Sequence, residues 1–197
     1  MVKYLSLSCL LPIALALTVP GAAQADCIET APSVAQAAIE DARRAVITLE
    51  YTSTAAKLDE VRRSLPCLTG TLPEKSIAQL YFFDGLLKFN LSNPEGGFQA
   101  FKDAAAVMPL LEEEREHNTE IRQKWAEARD DVTRTTGTLT LPNLPKDSVA
   151  YVNGRPLPST ELSTKVYPGV HLLQVQGDDR ELHGIMMRVQ PGETSMV

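Results

Sequence analysis

Three histidines, His117, His171 and His183, and two cysteines beyond the first 25 residues, Cys27 and Cys67, have the widest chemical repertoire in this sequence. His171 and His183 stand on neighbouring stretches of strand character with Asp178-Asp179 between them, which are residue types that bind transition metals. A histidine placed just after a Pro-Gly turn is more simply scaffold, and Gly177-Asp178-Asp179 has the composition of an ordinary turn. The sequence contains no nucleophile elbow, metalloprotease histidine pair, Gly-rich phosphate loop or Cys-x-x-Cys motif. The acidic clusters Glu112 to Glu114 and Asp130-Asp131 fit solvated helix faces, and the first also suits a helix start. The expectation is a non-enzymatic protein with no catalytic residue, no metal and no cofactor.

The cysteines take their meaning from the start of the chain. One lysine, an apolar run from about Leu5 to Val19, the helix-breaking Pro20-Gly21 and then Ala23-Gln24-Ala25 are the three regions of a secretory signal peptide over residues 1–25. The apolar run is too short to span a membrane comfortably, so cleavage after Ala25 and no membrane insertion afterwards are expected. Loss of Lys3 moves the formal charge from −6 to −7, and no Lys/Arg cluster offsets it. Such a surface repels polyphosphates and anionic lipid, which argues against nucleic-acid partners. Export places Cys27 and Cys67 in an oxidising compartment, where an even pair most simply forms one disulfide. The expected location is periplasmic or secreted.

Two periodicities divide the remainder. Over residues 26–134 the period is helical. Val34, Ala38, Ala42, Ala45 and Leu49 form one face, with Ser33 as start cap; Ala56, Leu58, Val61 and Leu65 form a second helix over about 53–65. Ile121, Trp125, Ala128 and Val132 make a narrow apolar stripe on an otherwise charged helix, as a covering helix requires. From Thr135 the period falls to two. Leu139 and Leu141, Val149 and Tyr151, a stretch from Val166 to Val175 and another from Ile185 to Val189 predict five or six short strands, with Asn153-Gly154 as a hairpin turn. The fold class is α+β: an N-terminal all-α domain of helical hairpins, then a small all-β sandwich or barrel over 135–197.

Within the helical part, Tyr81, Gly85, Gly97, Phe101, Ala104 and Pro109 fall at offsets that resemble the tetratricopeptide repeat. Small residues there mark where two helices cross closely. A degenerate second copy covers residues 35–68 through Ala42, Thr54, Leu58, Val61 and Pro66, and an unrelated bundle of about five helices remains the alternative. The β part, about Thr138 to Val197, resembles the PEGA domain of secreted bacterial proteins. Pro145-Lys146-Asp147-Ser148 stands for the name-giving run, Tyr151-Val152-Asn153-Gly154 for the hairpin, Pro168-Gly169-Val170-His171 for the second turn and Pro191-Gly192-Glu193 for the last.

The resemblance implies a module of the bacterial cell envelope. Two functions follow as expectations: a protein-interaction adaptor or accessory subunit with an envelope protein partner, or a cell-wall glycan-binding module acting through the β part. The second would need exposed aromatics, and only Tyr151 and Tyr167 are available there as candidate interaction residues. Tyr81, Phe82, Phe89, Phe98 and Phe101 are better explained as core of the helical part than as partner anchors.

Overall fold

The computed structural model describes residues 29–48, 50–112, 117–145, 147–158, 163–177 and 181–197. Residues 1–25, expected to be a signal peptide, and Cys27 lie outside these. Five helices come first: α1 (Pro32–Thr48), α2 (Tyr51–Ser64), α3 (Glu74–Asn90), α4 (Pro94–Val107) and α5 (Thr119–Thr133), with a 3-10 turn at Leu65–Cys67 after α2. Seven strands follow: β1 (Gly137–Thr140), β2 (Val149–Val152), β3 (Arg155–Pro156), β4 (Ser163–Val166), β5 (Gly169–Gln176), β6 (Leu182–Val189) and β7 (Thr194–Met196). They form a four-stranded sheet of order β3-β2-β5-β6 and a three-stranded sheet of order β4-β1-β7. The α+β class expected from the change of period is the class observed.

Helix α3 is buried from Ile77 to Leu87 on every side because α1, α2 and α4 surround it. Its Phe82 stacks on Phe101 of α4 with ring centroids 5.0 Å apart, and Trp125 of α5 meets both rings edge-on. Burial of each such phenylalanine contributes roughly 1.5–3 kcal/mol. The α3–α4 crossing is made at Gly85 and Gly97: a Cβ at Gly85 would lie 2.5 Å from the Phe101 ring, and one at Gly97 would lie 2.8 Å from the Phe89 ring. In α1 the buried face is rotated from the expected one. Ala35, Ile39, Ala42 and Ala45 point inward and Val34 is exposed, since Ile39 contributes more apolar area than Val34 at the helix margin. A cap at Ser33 would start the helix at Val34; it begins two residues earlier, with Pro32 at its first position, where a missing N–H costs nothing. In α2, Thr54, Leu58 and Val61 are buried and Ala56 is not.

The four-stranded sheet lies between two layers. On one face Leu172 belongs to the helical core, with Val170, Tyr167 and Met186 packed against it. On the other, Leu173, Ala150, Val152 and Val189 join Leu139 and Leu141 in a second cluster beneath the small sheet. Alternation along β5 assigns neighbouring leucines to opposite layers, so this strand is buried on both sides. The stretch expected as one strand from Val166 is two. β4 pairs with β1, and the chain then turns at Tyr167-Pro168 to enter the other sheet as β5, because proline can hold a corner but cannot donate to a ladder. At the hairpin, Asn153 and Gly154 take φ of 51° and 76°, as a two-residue turn with primed geometry requires. β7 runs parallel to β1 with Leu139 opposite Ser195.

Candidate functional site

An opening lies where helix ends meet. Helix α3 stops at Asn90, Ser92 turns the chain at a φ of 60°, and the Asn93 side chain accepts from the Gly96 N–H at 3.0 Å to start α4 on Pro94. Asn118 caps α5 in the same way, accepting from the Ile121 N–H at 3.0 Å. Each asparagine satisfies a donor that the first helical turn leaves without a partner. Between these starts and the first turn of α2, a cavity of about 620 Å³ is floored by Tyr51, Leu86, Phe89 and Ile121. A second of about 290 Å³ adjoins it, sharing Phe89, Pro94 and Lys124 and adding Phe98. Tyr51, Phe89, Phe98 and Ile121 are all half-buried: one side of each packs on the helical core and the other faces the groove.

The rim is charged. Lys124 donates to Glu127 at 2.9 Å, and Gln123 donates to the same carboxylate at 2.9 Å. The hydrogen bond from Lys124, then that from Gln123, holds the Glu127 carboxyl below its ordinary pKa. Glu95 and Glu120, on the first turns of α4 and α5, have no ion pair among the described residues. Half-buried aromatic floor and uncompensated carboxylates suit contact with another molecule.

The histidines are not brought together. His183 is opposite Val175 in the ladder while His171 is opposite Met187, four residues along the strand, and His183 is exposed. His171 is locked into the scaffold. The Leu172 N–H donates to Asn153 Oδ1 at 3.0 Å, which turns the Asn153 Nδ2–H onto His171 Nδ1 at 2.9 Å; His171 Nε2–H donates to the Tyr167 carbonyl at 2.7 Å. Both ring nitrogens are thus engaged by a neutral imidazole, and burial lowers its pKa despite the backbone carbonyl's opposing pull. Among the described residues no group of three or more His, Cys, Asp or Glu is placed to hold a metal ion.

Tyr151 and Tyr167 are not displayed together. Tyr167 packs against the helical core at the sheet corner, and Tyr151, half-buried, places its hydroxyl 3.4 Å from Gln176 Oε1. Cys67 is disulfide-bonded and lies at the end of the 3-10 turn, beside Thr30, whose N–H donates to the Cys67 carbonyl at 2.9 Å. No family model matches the chain, and neither does any curated protein or solved structure.

A polar group ties the helices to the sheet. Asp103 on α4 receives both guanidinium nitrogens of Arg188 on β6, at 3.1 and 3.2 Å, and the Gln99 amide at 3.2 Å. The nearby Tyr81 hydroxyl is buried without a hydrogen-bond partner among the described residues, and burial, then the Asp103 charge, pushes its pKa up. This group holds the layers in register; the groove is at the other end of α4. Of the groove residues, Phe89, Phe98 and Ile121 stood out in the sequence as core, and His117 as a histidine on a charged helix. Their second role was signalled by Asn-Pro at 93–94 and His-Asn-Thr at 117–119, two helix starts that gather at one end of the bundle.

Proposed function

We propose that the protein is an exported, non-enzymatic adaptor of the bacterial cell envelope whose helical groove receives a segment of another polypeptide. The observation that carries this reading is the groove itself: two adjoining cavities floored by half-buried aromatics and rimmed by charge. Protein contacts of this kind centre on a few aromatic anchors inside a polar rim. Export rests on the signal-peptide pattern over residues 1–25. The PEGA-like reading of the β part draws support from its turns, with Asn153-Gly154 as the hairpin and Pro168-Gly169 as the corner between sheets.

A Cys27–Cys67 disulfide belongs to the same proposal. Thr30, three residues after Cys27 in sequence, is bridged to Leu68 and its N–H donates to the Cys67 carbonyl, which supports the pairing. Alkylation without reductant should leave the intact mass of the mature protein unchanged; two added groups would exclude this pairing. Glycan binding through Tyr151 and Tyr167 has less support, since one of the two is packed under the helices.

A photo-reactive residue at Ile121 or Lys124 tests the adaptor reading in intact cells. A discrete adduct from either position, and none from the exposed Val34 of α1, is the expected result. Equal labelling from all three, or pelleting of the mature protein with purified cell-wall sacculi that is lost on changing Tyr151, would overturn it.

A further inference from the structure

Resting on that adaptor reading, we infer the chemistry of the occupant: a short polypeptide segment that places two apolar side chains in the paired cavities and lysine or arginine against Glu95 and Glu120. The argument from size comes first. Along α5 the groove wall runs through Glu120, Lys124 and Glu127, one helical face of about 10 Å at 1.5 Å per residue. An extended segment covers that length in about three residues, and its alternate side chains, roughly 7 Å apart, point the same way. Two anchors separated by one residue therefore match the two cavities on either side of Phe89.

Charge decides the flanks. Lys124, the one lysine or arginine among the described residues lining the groove, is taken by Glu127, so it neither attracts an acidic segment nor neutralises the other carboxylates. Among the described residues, no side chain forms an ion pair with Glu95 or Glu120. Their helix N-termini supply about half a positive charge each, and the asparagine caps already occupy part of that donor capacity. The balance at the rim remains negative, in the same sense as the chain's formal charge of −6. His117, also on the wall, is packed against the Phe82 ring. An acidic segment would meet two carboxylates of like charge, whereas a basic one converts them into charge-assisted contacts.

Fluorescence anisotropy on the mature protein, residues 26–197, tests this with three labelled ten-residue peptides. One carries Phe-x-Phe flanked by lysines; the second replaces the lysines by glutamates; the third keeps the lysines and replaces both phenylalanines by serines. The Lys/Phe peptide is expected to bind at least about tenfold more tightly than either twin. The Glu95→Gln/Glu120→Gln variant should weaken it about three- to tenfold at low salt, with the difference fading near 0.5 M salt. Asn90→Trp, a change at an exposed position on the groove wall, should abolish binding while leaving the circular dichroism of the protein unchanged. Equal binding of the lysine and glutamate peptides, both lost in Asn90→Trp, would overturn the basic-segment inference and leave the adaptor groove standing. Binding that survives Asn90→Trp, or failure of all three peptides, would overturn the groove as a peptide site.

Discussion

The two faces of the four-stranded sheet are covered in different ways. Beneath the small sheet the contact is apolar, made by Leu139, Leu141, Ala150, Val152, Leu173 and Val189 from alternating strand positions. Against the helices the contact mixes Leu172 and Met186 with the Asp103–Arg188 pair, the buried Gln174 amide and three glycines. A Cβ on Gly154 would lie 1.8 Å from the Leu72 carbonyl oxygen, one on Gly169 2.4 Å from the Ala106 Cβ, and one on Gly184 2.6 Å from the Pro66 carbonyl oxygen. The first face is a generic strand-on-strand core that tolerates repacking. The second is fitted to one particular helical layer, so the halves are joined by shape and by charge as well as by chain.

The comparison would break first on the isolated β half. Residues 135–197 alone would expose Leu172, Val170 and Met186, and are expected to bind a hydrophobic dye and lose cooperative unfolding; a sharp urea transition in that fragment would show the helix-facing layer to be dispensable. Next, Leu172→Ala in the whole protein should cost about 2–5 kcal/mol by cavity formation, with the transition of Trp125 fluorescence moving together with the far-ultraviolet signal. Arg188→Ala should cost about 1–3 kcal/mol, because it leaves the buried Asp103 carboxylate with only Gln99. A double-mutant cycle with Asp103→Asn should recover most of that cost as coupling energy.

Smaller still is a pH effect. The folded pKa of His171 lies below its unfolded value near 6.5, so the unfolded chain binds the extra proton. The resulting stability is present in full above that pH and falls as the pH drops from there towards the folded pKa. Urea midpoints at pH 7.5 and 5 should differ more in the native protein than in His171→Gln. The smallest expected change is Lys102→Ala, within about 1 kcal/mol, since its pair with Asp131 is partly exposed.

The first of these faces was legible in part, and the second was not. Period-two alternation marks Leu139 and Leu141 without knowledge of a partner, and Asn153-Gly154 requires a tight turn wherever it stands; along β2 the pattern centred on Val149 and Tyr151, whereas the residues turned into this face are Ala150 and Val152. The sheet's other cover depends on contacts between residues such as Asp103 and Arg188, 85 positions apart, and no local pattern announces such pairs. Gly169 looked like a turn residue and is one; that its missing Cβ also admits Ala106 emerges only in three dimensions. In the helices, the crossing at Gly85 and Gly97 was readable because both partners lie within one hairpin. The groove was not, since Tyr51, Phe89 and Ile121 come from three helices and each is apolar enough to pass for core.

The parallel pairing of β1 with β7 has a mechanical consequence. β1 follows α5 directly, and β7 bonds to it through the Thr138 N–H to the Glu193 carbonyl at 2.8 Å and the Val197 N–H to the Thr140 carbonyl at 3.1 Å. Tension applied between the helical layer and the far end of β7 pulls the two strands past each other along their length. The bonds across that ladder then carry the load together, in shear, and yield at once; they do not open one after another like a zipper.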